Sequence, residues 1–339
     1  MTRVGLVLTG GTVGARRTTR AGETVVSVAA DSPGPGLLRS AVPAGHDIEF
    51  ATLSTLALAS EDMRPDDWRR IAGAVRAHVA AGLRRVLVLH GTDTMSFTAA
   101  ALSFLLADLD VTVVITGSNV SPDQEHSDAR KNIHDALVAL LELPRGAYVV
   151  FAGGEDLPGL VHLGTQVRKV RICGQSFESV NRGPVARIHD GALTWIDRWR
   201  PGPSGADPRG DLDPGVLSFR LYPGLDFDAM RHALETGGQR AVVIELYAAV
   251  TGPSFALPEF IRKCRDGGVN VFLTASAPAA EDLSVYDSFV ALREAGGRYL
   301  PGMIPETAIV KCMWALGQTR DPVSVAAIMS TPVAGEVTG

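Results

Sequence analysis

Short β-branched apolar runs, separated by helix-length amphipathic segments, leave this chain few folds to choose from. The runs at 4–8, 86–89, 111–116, 147–151, 241–245 and 269–274 lack polar alternation, as strands do when both faces of a parallel sheet are covered. Between them, segment 66–81 follows Pro65, opens with acidic residues and stops before Gly82, so both ends carry helix-boundary signals. Segments 96–107 and 129–141 follow the same logic. The alternation predicts a doubly wound α/β architecture, with ligands held at the carboxyl ends of the strands. At 198–215 the chain reads RWRPGPSGADPRGDLDPG, rich in Pro, Gly and Asp and without periodicity, which marks an interdomain linker. A second α/β unit of strands and helices follows it. No internal repeat, heptad or low-complexity tract is present.

Composition narrows the class of partner. Of 339 residues, 46% are hydrophobic and 20% charged, as in soluble globular proteins, and the length allows a substantial core. A net charge of −5 offers no general attraction to nucleic acid or to an anionic membrane, so neither is expected as a partner. Cys173, Cys264 and Cys312 are far apart and odd in number, which fits a reduced compartment and packing in the core, with no disulfide framework. The first residues show no signal-peptide pattern, and no apolar run is long enough to span a bilayer. The expected location is cytoplasmic.

Two polar clusters follow predicted strands. The first is LTGGTVG, from Leu8 to Gly14. A P-loop would need four residues between its glycines and then Gly-Lys-Ser/Thr, which are missing; the dinucleotide fingerprint fits the spacing poorly. Two readings stay open: a tight turn with Thr12 as a local cap, or a catalytic loop that presents Thr12 among backbone N–H groups able to face an oxyanion. The second cluster, His90-Gly91-Thr92-Asp93-Thr94-Met95, ends the strand at 86–89 and opens a helix. Asp93 or Thr94 alone would make an ordinary N-cap, but that leaves Thr92 unexplained. Both clusters end strands of the same predicted sheet, so they can converge on one pocket. His126 and His134 flank a helix start with Asp128 as its N-cap, and no metal-ligand spacing such as HExxH occurs.

TGGTVG at 9–14 and HGTDTM at 90–95, in this order and at this separation, resemble the two signatures of the bacterial-type L-asparaginases. The resemblance continues in SEDM (60–63), VVITGS (113–118), SFESVNRGP (176–184), RLYPG (220–224) and MIPETAIVK (303–311), and so covers essentially the whole chain. It implies a larger N-terminal domain with a doubly wound sheet and a smaller C-terminal α/β domain, here 1–195 and 216–339 with a linker at 196–215. It implies Thr12 as the nucleophile that forms an acyl-enzyme, with Thr92, Asp93 and a lysine activating it and ordering water. Ser60 and Asp93 would hold the α-carboxylate and α-amino group of the substrate, with Gly11, Gly91 and Ser118 lining the pocket. No cofactor or metal is implied, and a homo-oligomer, dimer or tetramer, is expected.

Three places depart from that pattern. Ungapped counting puts Arg168 at the lysine position and a one-residue deletion puts Lys169 there; Lys169 is preferred, because an arginine rarely releases a proton. The local run GTQVRK resembles the asparaginase-like subunit of archaeal tRNA-dependent amidotransferases. Residues 13–40 lack the mobile-loop tyrosine of the family and are basic at their start, with Arg16, Arg17 and Arg20. A hydroxyl of Thr18, Thr19 or Thr24 substitutes, or the loop meets a larger or more acidic substrate, or it is simply solvated. YAAVTGPS at 247–254 carries Thr251 near where the family has an asparagine for the substrate amino group. The expected activity is hydrolysis of a side-chain or related linear amide to a carboxylate and ammonia, with L-asparagine the default substrate. An ammonia-supplying amidotransferase subunit ranks second, because the chain starts three residues before its first strand. A catalytically weak amino-acid-binding protein ranks third.

Overall fold

The structure, a computed structural model, describes residues 1–20, 23–28, 34–199, 211–275 and 286–337. The chain divides into two units: Met1–Ser179 with Gly183–Asp207, and Val180–Arg182 with Pro208–Gly339. Most of the expected linker lies outside the described residues; its last part, from Asp211, packs within the second unit, where Asp213 N–H bonds the Met313 carbonyl (2.9 Å).

The first unit contains β1 (Thr2–Gly10), a hairpin of β2 (Ala15–Arg20) and β3 (Glu23–Val28), α1 (Pro35–Ser40), β4 (Ile48–Leu58), α2 (Pro65–Ala80), β5 (Arg85–Leu89) and α3 (Met95–Leu105). It continues with β6 (Thr112–Thr116), α4 (Ala129–Glu142), β7 (Gly146–Phe151), β8 (Gly159–Leu163), β9 (Val167–Lys169), β10 (Phe177–Ser179), β11 (Ala186–His189) and β12 (Ala192–Trp195). Its main sheet runs β12-β11-β8-β7-β6-β5-β1-β4. β4, β1, β5, β6 and β7 are mutually parallel, and the apolar residues of β1, β5, β6 and β7 are buried on both faces. The runs read as parallel strands are parallel, and on one side the sheet is extended by β8, β11 and β12, which are antiparallel. Short connections join β7 to β8 and β11 to β12, which a parallel pairing does not permit, while β9 and β10 intervene between β8 and β11.

The second unit contains β13 (Val216–Arg220), α5 (Phe227–Gly237), β14 (Ala241–Leu246), α6 (Ala256–Asp266), β15 (Asn270–Ala275), α7 (Asp287–Glu294), β16 (Arg298–Tyr299), α8 (Pro305–Gln318) and α9 (Pro322–Ser330). Its four strands are all parallel, in the order β13-β14-β15-β16. Strand periodicity sorts the core into two layers. Val242 and Ile244 face Leu257, Phe260 and Ile261 of α6, while Ala241 and Val243 face Ala308, Cys312 and Ala315 of α8. Among the described residues, no helix is long and apolar enough to cross a membrane.

Candidate active site

Apart from Lys169, the candidate residues of the first unit lie at the carboxyl ends of neighbouring parallel strands. Leu8 of β1 pairs with Leu89 of β5, and Gly10 pairs with Leu58 of β4. The chain leaves β1 through Gly10 and Gly11, whose φ angles of 106° and 76° lie in the region open to glycine. Thr12 then begins a single 3₁₀ turn, Thr12–Gly14, and is half-buried. No side chain caps that turn, so Thr12 is not serving as a local cap.

Absent side chains bring the strand ends together. A Cβ on Gly11 would lie 2.3 Å from Gly91 Cα, and one on Gly91 would lie 2.6 Å from Ser60 Cβ. Ser60 is buried at the start of a 3₁₀ turn after β4. Its Oγ accepts the Asp93 N–H (3.3 Å), and its carbonyl accepts the Thr94 hydroxyl (2.7 Å). Thr94 is the N-cap of α3 in position only, since its side chain makes no capping bond there.

Lys169, the last residue of β9, closes the cluster. Its Nζ donates to Thr92 Oγ1 (2.7 Å) and to Asp93 Oδ1 (2.6 Å). The lysine side chain is 13% exposed, whereas that of Asp93 is 62% exposed, so one end of the ion pair is sheltered and the other faces water. The ammonium thus retains one N–H beyond these two bonds. Lys169 pairs with Phe177 across the β9–β10 hairpin, while the neighbouring Arg168 pairs with Glu178. Adjacent residues of a strand point to opposite faces, so the two cannot exchange places without a register slip.

Ser118 follows β6, fully buried, and its Oγ has no hydrogen-bond partner among the described residues. A bonded loop holds it. The Asp128 carboxylate accepts the N–H groups of Asn119 (3.0 Å) and Val120 (3.0 Å), and Asn132 Nδ2 donates to the Gly117 carbonyl (2.9 Å). Asp128 therefore occupies the N-cap position of α4 without capping it; its carboxylate fastens the loop instead. Burial pushes its pKa up, and the Val120 and Asn119 N–H groups act against that. Asn119 Nδ2 also donates to Ser176 Oγ (2.7 Å), linking this loop to the hairpin that carries Lys169. The motif VVITGS marked Ser118, but residue types alone gave no sign of the Asn119, Asp128 and Asn132 bonds, which join positions distant in sequence.

The remaining expectations fall out unevenly. Thr19 is exposed in the β2–β3 hairpin, and the side chains of Arg16, Arg17, Thr18, Arg20 and Thr24 lie outside the described part of the structure. Cys264 and Cys312 are buried, but Cys173 is exposed in the turn between β9 and β10, contrary to the expectation of core packing. In the second unit, Val250 adopts φ 57°, unusual for a β-branched residue, in the segment that carries Thr251. No group of three or more metal-type side chains that could hold an ion occurs among the described residues.

The family model described as "Asparaginase, N-terminal" matches residues 3–200, and "Glutaminase/Asparaginase C-terminal domain" matches 215–329. The chain belongs to the asparaginase family, with its large N-terminal sheet domain and smaller C-terminal α/β domain. A subunit of the glutamyl-tRNA(Gln) amidotransferase of Sulfolobus acidocaldarius is 33% identical over 288 residues, covering 83% of this chain and 64% of its own length. The same subunit of the Pyrococcus furiosus enzyme is 34% identical over 339 residues, covering 97% of this chain and 75% of its own. The thermostable L-asparaginase from Thermococcus kodakarensis has a similar structure, with a TM-score of 0.83 and 30% identity over 100% of both chains.

Proposed function

We propose that this chain cleaves a linear carboxamide and releases its nitrogen as ammonia within an amidotransferase assembly. One observation carries the chemistry: Lys169 Nζ bridges Thr92 Oγ1 and Asp93 Oδ1 beside the turn that begins at Thr12. In this reading Thr12 Oγ attacks the amide carbon, the C–N bond breaks, and the proton shed by the hydroxyl leaves on ammonia. A neutral threonine hydroxyl is a poor nucleophile, so a base must relieve it of that proton as the bond forms. Thr92, Asp93 and Lys169 form the cluster that takes and returns the proton, a contribution of about 10²–10⁴-fold. Water then attacks the Thr12 ester, giving the carboxylate and restoring the hydroxyl. Ser60 and Asp93 hold the substrate's charged groups, and Gly11, Gly91 and Ser118 line its amide.

The assembly part of the proposal rests on the relatives, which are named as subunits of an enzyme acting on glutamyl-tRNA(Gln). The net charge of −5 gives this chain no general attraction to tRNA, so in this reading a protein partner holds the acceptor. The likeness to a whole L-asparaginase over 100% of both chains supports a second reading, a free-standing amidohydrolase that hydrolyses L-asparagine. Ammonia release from asparagine and glutamine by the chain alone, and with the proteins that copurify with it, separates the two. Transfer of ¹⁵N from the amide to glutamyl-tRNA only with a partner present supports the assembly; rapid asparagine hydrolysis alone, with no stable partner, supports the free enzyme. In either case Thr12→Ala should abolish ammonia release while the thermal midpoint holds. Near-normal release by the folded variant rules out Thr12 as the nucleophile.

A further inference from the structure

Beneath the site lies a chain of side-chain hydrogen bonds with one possible direction. His90 is completely buried where β5 ends. Its Nδ1 lies 2.6 Å from the Gly91 carbonyl oxygen, and its Nε2 lies 2.9 Å from Thr98 Oγ1 of α3. Trp68 Nε1 of α2 donates to the same hydroxyl at 3.0 Å. Burial pushes the His90 pKa down to about 4, so the ring is neutral near pH 7 and carries one N–H. A carbonyl oxygen can only accept, so that proton is on Nδ1. Nε2 must then accept the Thr98 hydroxyl proton, and the Thr98 oxygen accepts from the indole. Each donor and acceptor of the chain is used in one way only.

Gly91 needs such an anchor. A Cβ there would strike Ser60, so the position has no side chain of its own to restrict its backbone. We propose that His90 is a positioning residue, which fixes the Gly91–Thr92 peptide plane and thereby holds Thr92 Oγ1 in place for Lys169. This rests on the reading of Thr92 and Lys169 as part of the base cluster. His90 itself touches no reacting group; it acts only through Gly91.

Thr98→Val keeps the shape of the side chain and removes the hydroxyl, while Thr98→Ser keeps the hydroxyl. Losing one buried hydrogen bond should lower kcat for amide hydrolysis by about tenfold in Thr98→Val with KM nearly constant, and Thr98→Ser should recover most of it. In ¹⁵N spectra of the histidine-labelled full chain, the ring perturbed by Thr98→Val should carry its proton on Nδ1 in wild type and Thr98→Ser. Equal losses in both variants, full activity in Thr98→Val, or a wild-type ring protonated on Nε2 overturns the proposal. Should the wild-type chain release ammonia from no amide, the functional reading fails separately. The Thr92 backbone amide resonance then decides the positioning role: a shift in Thr98→Val alone supports it, and no shift ends it.

Discussion

Lys169 and Arg168 show how much one strand position decides. Counting residues back from Phe177 favoured Arg168, whereas chemistry favoured Lys169, because a guanidinium does not give up its proton in a protein. The β9–β10 register places Lys169 opposite Phe177, and its Nζ reaches both Thr92 and Asp93. Lys169→Met should therefore cut turnover by about 10²–10⁴-fold, the range for losing general-base help, with little change in thermal midpoint. Lys169→Arg should fare little better, since it restores charge but not a labile proton. Arg168→Ala should stay within a few-fold of wild type. Steady-state ammonia release by the three purified variants checks this, and a dead Arg168→Ala beside an active Lys169→Met would reverse the assignment. Residue type singled out Thr12, Thr92 and Asp93 as candidates, and the family resemblance added Lys169. Neither gave a role to His90, which ties the end of β5 to α3, or to Asn119, whose bond to Ser176 spans distant parts of the chain.

At the scale of elements, the strands that could be read were those buried on both faces. β1, β5, β6, β7, β14 and β15 are continuous apolar runs, and each is legible as a strand in the sequence. β4, IEFATLSTLAL, and β12 are the edge strands of the sheet, and they and the short β11 carry mixed sequences, so the same signal is missing. The β2–β3 hairpin, ARRTTR against ETVVSV, reads as loop because one of its strands is almost wholly polar. The convergence of strand ends was foreseeable in kind, since ligand sites of α/β sheets gather there. Its tightness was not, for it depends on two glycines meeting backbone to backbone. Gly91→Ala tests that packing: its Cβ would lie 2.6 Å from Ser60 Cβ and 2.7 Å from Ser60 Oγ, displacing the group that receives the Asp93 N–H. Overpacking of this kind costs about 1–3 kcal/mol. The urea midpoint should fall accordingly and turnover should fall with it, while Gly154→Ala, with nothing within 4 Å of the new methyl, should change neither. A Gly91→Ala enzyme with wild-type stability and rate would show that the loops are free to separate.

Across the whole chain, stability is tied to buried ionisable groups, and each unit has its own. In the second unit, Lys311 and Glu336 form a fully buried ion pair, and Lys311 also donates to the carbonyls of Met329 and Thr331. Removing one partner leaves an uncompensated buried charge, so Glu336→Gln should destabilise that unit by about 3–5 kcal/mol in chemical denaturation. In the first unit, burial lowers the pKa of His90 and of His162 from 6.5 to about 4, and that of His78 moves in the same direction. The consequence has a definite sign. Between pH 6.5 and 4 the unfolded chain binds protons that the folded chain refuses, so stability is full above that window, falls as pH drops through it, and levels off below pH 4. From pH 7 to pH 5 the loss is about 2 kcal/mol for each of His90 and His162, about 4 kcal/mol together. Carboxylates titrate mostly below this range, so a fall already visible at about pH 6 belongs to the histidines. Hydrogen exchange of the β5 and β8 amides, followed from pH 7 to pH 5 after correction for intrinsic rates, reads the opening free energy of this unit. His162→Gln should reduce the slope by about half, because one of the two groups that take up a proton chiefly on unfolding is gone. An opening free energy that stays flat from pH 7 to pH 5 would mean that both rings can take up protons without unfolding. Below about pH 6.5 His90 would then be an imidazolium able to donate from both nitrogens, and the one-way order of the Trp68–Thr98–His90 chain would hold only above that pH.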